Sequence, residues 1–252
     1  MEGGPVVAVR GLVKSYDSER GERVPVFSGL DLEVREGEFL SILGPTGCGK
    51  TTLLRILGGL EGWDRGQVLV SGRPPRAGRI PFALVFQQNT LFPWKRILPN
   101  VALPLELGGL SRREARSRAV ELLSLVGLEG LERAYPYELS GGMQQRAALA
   151  RALAQDARGL LMDEPFGALD DRTRRDLQEV LVEIQASRGL TVLFVTHNLE
   201  EALLLGTRVV VLGKEGILKE EEIPGPRPRD PLSEDFTRSL LALRRAFQES
   251  AR

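Results

Sequence analysis

Residues 44–51 read Gly44-Pro45-Thr46-Gly47-Cys48-Gly49-Lys50-Thr51, directly after the apolar run Phe39-Leu40-Ser41-Ile42-Leu43. The spacing is G-x-x-x-x-G-K-[ST], that of a loop that cradles phosphate. Glycine has no Cβ, so at 44, 47 and 49 backbone N–H groups can turn toward phosphate oxygens at close range. A helix is expected from Lys50 to Leu57, stopped by Gly58-Gly59, and its positive dipole end then faces the phosphates. In such a loop Lys50 reaches the β- and γ-phosphates and the Thr51 hydroxyl ligates Mg2+. The expected nucleotide contacts are Gly44, Pro45, Thr46, Gly47, Cys48, Gly49, Lys50, Thr51 and Thr52. Cys48 is the one cysteine of the chain. Beside a helix start its thiolate is favoured; the side chain itself reads as structural and tolerant of serine, while a bulky group on its sulfur should clash with bound phosphate. A phosphate loop alone suits a kinase, a GTPase or a helicase.

Three other places carry chemistry. Leu160-Leu161-Met162-Asp163-Glu164 reads as a buried strand ending in two carboxylates. At that sheet edge Asp163 can hold Mg2+ through water, and Glu164 can orient or deprotonate an attacking water. Adjacent carboxylates are common on surfaces, so the pair gains its meaning from the phosphate loop. Leu139-Ser140-Gly141-Gly142-Met143-Gln144-Gln145-Arg146 opens a further helix. Ser140 can cap it, and the N–H groups of Gly141 and Gly142 make a second anion-binding start. His197, the only histidine, comes after Leu193-Phe194-Val195-Thr196 at the edge where α/β sheets hold ligands. A lone histidine is more often packing than chemistry, and so is a tyrosine near a strand end such as Tyr16.

The rest of the chain sets limits. At 252 residues, with 42% hydrophobic side chains, it suits one large α/β domain with room for an insertion. Its 34 basic and 34 acidic residues argue against nucleic-acid binding through a broad basic face. One cysteine precludes an internal disulfide and fits a reducing compartment. The N-terminus lacks a secretory apolar core, and no stretch nears the roughly 20 apolar residues that span a bilayer. Short apolar runs at 8–13, 32–34 and 67–70 read as an N-terminal β region. Those at 39–43, 83–86, 160–163, 192–196 and 209–212 read as a parallel sheet between helices. From Gln87 to about Gln155 strand signals vanish. Ser111-Arg112-Arg113-Glu114 is a capping box, opening a helix with Ala115, Ala119, Leu122, Leu123 and Val126 on one face. Pro224, Pro226, Pro228 and Pro231 suggest a stiff linker. A short amphipathic helix is expected next, at 233–247, with Phe236, Leu240, Leu241, Leu243 and Phe247 apolar.

The phosphate loop and residues 139–146, in that order, resemble the ATP-binding cassette of ABC transporters. Its signature usually carries Gln where this chain has Met143. The resemblance spans about residues 6–215 and implies ATP and Mg2+ as cofactors. It implies an α/β phosphate-loop NTPase (RecA-like) core, an N-terminal antiparallel β region and an inserted helical subdomain at about 88–155. The ATPase domain would cover 1–220, and 221–252 would be a Pro-rich linker and short C-terminal helical tail. Ser140, Gly141 and Gly142 would meet the γ-phosphate held by the other subunit of a head-to-tail homodimer. His197 would be the switch histidine, and Gln87 the Q-loop glutamine that contacts Mg2+ or water, with Gln88 as the alternative. Gly167-Ala168-Leu169-Asp170 would be the D-loop, and Tyr16 the aromatic that stacks on adenine.

Leu91-Phe92-Pro93-Trp94-Lys95-Arg96, residues 100–106, Met143 and the tail at 226–230 resemble ATPase subunits of nitrate, sulfonate and taurine importers. Related uptake systems for thiamine-precursor pyrimidines share these features. That resemblance implies a peripheral subunit on the cytoplasmic face of the membrane. Its partners would be transmembrane permease subunits and, indirectly, a solute-binding protein, with no nucleic acid. Phe92 and Trp94 read either as core of the helical subdomain or as an exposed aromatic edge for a permease helix. Two other classes stay open: a soluble non-transport ABC ATPase acting on nucleic acid or ribosomes, and the ATPase half of an exporter.

Overall fold

The computed structural model describes residues 4–18, 21–78, 80–167, 169–214 and 216–250. In chain order the elements are β1 (Val7–Asp17), β2 (Arg23–Val34), β3 (Phe39–Leu43), α1 (Lys50–Leu57), β4 (Arg65–Val70) and β5 (Phe82–Val85). Then come α2 (Ile97–Leu107), α3 (Arg112–Leu125), a 3-10 turn (Pro136–Glu138) and α4 (Gly141–Leu153). The last third holds β6 (Gly159–Asp163), α5 (Asp171–Arg188), β7 (Thr191–Thr196), α6 (Leu199–Leu205), β8 (Arg208–Gly213), β9 (Gly216–Glu222) and α7 (Glu234–Ser250).

A six-stranded sheet runs β5-β6-β7-β3-β8-β9, parallel except for β9. Its strands β3, β7 and β8 are buried at every position, as parallel strands covered on both faces must be. A second, antiparallel sheet, β2-β1-β4, packs with α1 against it through Val9, Phe27, Leu53 and Val195. Strands β1 and β2 are longer than their apolar runs suggested. Gly11 (φ 56) bends β1 at a register shift, and Lys14, Ser15 and Asp31 hide the alternation.

Helices α2, α3 and α4 form the insertion, with Val101, Ala119 and Leu149 in its core. The capping box of α3 forms: Glu114 N donates to Ser111 Oγ at 3.3 Å, and Ser111 N to Glu114 Oε2 at 3.1 Å. The C-terminal stretch differs from a free linker. β9 crosses position 220, residues 223–229 fold back under α6, and α7 packs on α6 and β8 through Phe236 and Leu243. Leu241 is not part of that face and is exposed. Prolines announced stiffness, but the arginines between them, which bond to helix-end carbonyls, gave no signal in the apolar pattern.

Candidate functional site

The order β5-β6-β7-β3 places four parallel strands side by side, so their C-terminal ends share one edge of the sheet. Gln87, the Asp163–Glu164 pair, His197 and the phosphate loop stand at those four ends. Sheets of this type bind ligands at that edge.

The loop is shaped by its glycines. Gly49 has φ 98, and a Cβ there would stand 2.7 Å from Phe27 Cζ and from Val26 Cγ1. No side chain caps α1, so the N–H groups of its first turn open into the loop. Lys50, almost fully buried, donates from Nζ to Gly44 O at 2.7 Å and Pro45 O at 3.0 Å, and lies 4.0 Å from Glu164 Oε1. Thr51 Oγ1 donates to Asp163 Oδ1 at 3.1 Å. Burial raises the Asp163 carboxyl, the Thr51 bond opposes that, and the Glu164 charge adds to it.

Glu164 has φ 44, a left-handed backbone that a side chain rarely adopts. Its N–H is held by Val195 O at 2.9 Å, and its Oε2 lies 2.9 Å from His197 Nδ1. Such a backbone persists only where its surroundings over-determine it. Gln87 reaches the same place: a Cβ on Gly167 would come 3.4 Å from Gln87 Nε2. Ala168, in the expected D-loop, falls outside the described residues, but Asp170 caps α5 by accepting from Thr173 N at 3.0 Å. The Thr173 side chain, and then this N–H, hold its carboxyl low.

The Cys48 side chain is structural, as expected, but it does not carry the thiolate that the helix start was expected to favour. The side chain is buried beneath the loop, and Sγ would lie 2.6 Å from a Cβ on Gly44. Burial pushes the thiol up, outweighing Lys50 and the helix start. We expect maleimide to label the native chain at least about 100-fold more slowly than the urea-unfolded chain, because attack requires local opening. Mass spectrometry over a labelling time course checks this; equal rates would mean the thiol is open to solvent.

Tyr16 is partly exposed above the start of α1. Its hydroxyl donates to the Glu61 carboxylate and lies 3.4 Å from Thr52 Oγ1, while the Lys14 ammonium stands 4.7 Å from its ring centroid. Lys14 and Glu61 were not anticipated, since nothing in their spacing ties them to the loop. At α4, Ser140 Oγ accepts from Met143 N at 3.3 Å, and the Gly141 α-carbon faces open space. A Cβ on Gly142 would collide with the Thr173 methyl, so glycine lets α4 approach α5. The helix is tied to the Gln87 segment by Gln145 Nε2 to Phe86 O at 3.4 Å and Asn89 Nδ2 to Gln144 Oε1 at 2.6 Å. Among the described residues, no hydrogen bond joins residues 140–142 to this chain's own phosphate loop.

A buried relay also escaped the sequence reading. Thr196 Oγ1 donates to Glu201 Oε2 at 2.8 Å, and Arg174 Nε is 3.4 Å from Glu201 Oε1. Arg174 also donates to Leu169 O at 2.8 Å. It joins the segment before α5 to the turn that carries His197.

The sequence model of the ABC transporter family matches residues 27–167, more than half of the chain. The chain belongs to the ABC transporter family. It is 48% identical over 230 residues to an uncharacterized ABC transporter ATP-binding protein of Methanocaldococcus jannaschii, covering 90% of this chain and 86% of the relative. Against a taurine import ATP-binding protein of Rhizobium johnstonii it is 46% identical over 197 residues, covering 78% and 75%. A dimeric ATP-binding cassette in a post-hydrolysis state, bound to ADP and Pi, superposes with a TM-score of 0.79 at 34% identity. That match covers 87% of this chain and 100% of the other. The ABC chain is thus an ATP-binding ATPase subunit with the phosphate-loop α/β fold. Among the described residues no helix is long and apolar enough to cross a membrane.

Proposed function

We propose that this ABC subunit binds and hydrolyses MgATP as a head-to-tail homodimer beneath permease subunits, driving import of a small solute of the taurine, sulfonate or nitrate kind. The observation that carries the reading is the shared edge of β5, β6, β7 and β3, which gathers Gln87, Asp163, Glu164, His197 and the loop. The exposed Ser140–Gly141 start, remote in hydrogen bonding from its own loop, supports a site completed by a second copy. The taurine importer among the relatives supports the solute class and, with it, a solute-binding protein and a place on the cytoplasmic face.

Bound MgATP supplies the phosphoryl group. The residues fit it: uncapped N–H groups at α1 can bind anionic oxygens, and the Lys50 ammonium, now on the Gly44 and Pro45 carbonyls, would turn toward them. Among the described residues no three His, Cys, Asp or Glu side chains cluster as a metal site. Thr51 and Asp163 would hold Mg2+ with Gln87 nearby, the sparse set typical of an ion that also binds phosphate and water. Tyr16 offers a ring face for adenine. Glu164 accepts the proton of the attacking water, and His197 fixes its second oxygen.

Trp94 is exposed and stacks at a tilt on half-buried Phe92, with centroids 5.5 Å apart. Fully buried Asn100 holds their loop, accepting from Phe92 N at 2.8 Å and donating to Phe92 O, Lys95 O and Arg96 O. A rigid loop presenting a bare aromatic suits a docking anchor. Trp94→Ala should weaken permease assembly by about 2 kcal/mol, roughly 30-fold, and depress uptake. ATP affinity of the isolated subunit should stay within about twofold, because Trp94 touches none of the site. Reconstituted uptake is the test of the whole reading: no dependence of transport on this subunit's ATP hydrolysis would refute it.

A further inference from the structure

The proposed function leaves the Pro-Arg-Pro-Arg-Asp segment at 226–230 without a role. Helix α6 has seven residues, too few to be stable alone, and its last carbonyls have no partners within the helix. Two arginines supply them. Arg229 Nη1 donates to Leu203 O at 2.7 Å and Gly206 O at 2.8 Å, and Arg227 Nη1 to Leu205 O at 2.9 Å. Arg229 is braced by Pro224 O and Ile223 O. Arg227 also donates to Gln185 Oε1 at 2.6 Å, near the end of α5, and its guanidinium lies 5.4 Å from the Phe39 ring centroid at the start of β3. Among the described residues neither arginine forms an ion pair with a carboxylate. Their charges rest on carbonyl oxygens and the negative end of the helix. Burial and then the charge of Arg227 bring Arg229 down to about 10.

At the other end of α6, His197 stands just before the cap. Asn198 caps it, accepting from Glu200 N at 2.9 Å and Glu201 N at 3.2 Å, and Glu201 locks it to Thr196. The helix therefore joins the arginine clamp to the histidine as one short rod packed on β3 and β7. We propose that Arg227 and Arg229 are positioning residues that set, through α6, where His197 stands against Glu164. The proposal rests on the reading of His197 as an active-site group. It assigns the tail segment to the ATPase site rather than to a linker. Loss of the forked bonds frees the lower end of the rod, and a misplacement of about 1 Å at a reacting group costs up to about 100-fold in rate.

His197 is the only histidine, so its imidazole gives a single NMR reporter in the full-length, nucleotide-free chain. R227M and R229M keep side-chain length and remove the donors. We expect the His197 ring resonances to move in both, with kcat for ATP hydrolysis falling between about fivefold and about 100-fold. KM for ATP should hold within about twofold. R229K keeps the charge but loses the fork, and should fall between native and R229M in both readouts. It also serves if the methionine variants do not fold. Native ring resonances and native kcat in the folded variants, with only the melting temperature lowered, would overturn the proposal. H197A separates the two claims: native turnover there sinks the active-site reading of His197, while the NMR arm, taken without nucleotide, still decides the clamp.

Discussion

Glu164→Gln should bind MgATP with near-native affinity and lose about 10²- to 10⁴-fold in turnover, the usual effect of removing a general base. The amide keeps the shape of the carboxylate and can still bond to His197 Nδ1, 2.9 Å from Oε2. It cannot take a proton from water. The left-handed backbone at Glu164, anchored to Val195 O, keeps the side chain aimed at the same place in the variant. With hydrolysis blocked, ATP should hold two copies together if, as proposed, Ser140 and Gly141 of one copy complete the site of the other. Single-turnover hydrolysis measures the first effect and light scattering with MgATP the second. Near-native hydrolysis would remove Glu164 from the reaction; a monomer under saturating MgATP would remove the shared site.

Much of this candidate site could be read from residue order, because the phosphate loop, Gln87, the Asp163–Glu164 pair and His197 each follow an apolar run. Phe39–Leu43 and Thr191–Thr196 are buried at every position, so the runs mark strands, and the residues next in the chain must lie at the sheet edge. The features that escaped were decided by tertiary contact. The Cys48 thiol turned inward because Gly44 and the core beneath the loop leave it room there, which no dipole argument includes. Arg174 meets Glu201 only because α5 and α6 lie near each other, and neither sits in a patterned spacing. The tail looked like a linker since prolines dominate its composition, whereas its bonds run to main-chain carbonyls, which carry no sequence signature. Trp94 was ambiguous between core and surface; it is exposed, on a loop whose backbone is held by buried Asn100.

Lys50→Met should separate binding from turnover in the opposite sense. The ammonium is nearly buried and meets two carbonyls of its own loop, with the Glu164 carboxylate 4.0 Å away. For the fold, losing those bonds costs about 1 kcal/mol each, but removing a desolvated charge returns a comparable amount, so stability changes little. For the nucleotide the balance is one-sided. A charge-assisted bond to phosphate is worth about 1.5–3 kcal/mol, and methionine offers nothing in its place. MgATP affinity should therefore fall by roughly 10- to 100-fold, while the melting temperature moves by only a few degrees. Titration calorimetry with MgATP, set beside a thermal melt, distinguishes the terms. Unchanged affinity would mean that the ammonium stays on the loop carbonyls when nucleotide binds. A collapse of the melt with affinity retained in the folded fraction would make Lys50 a staple of the loop instead of a phosphate ligand.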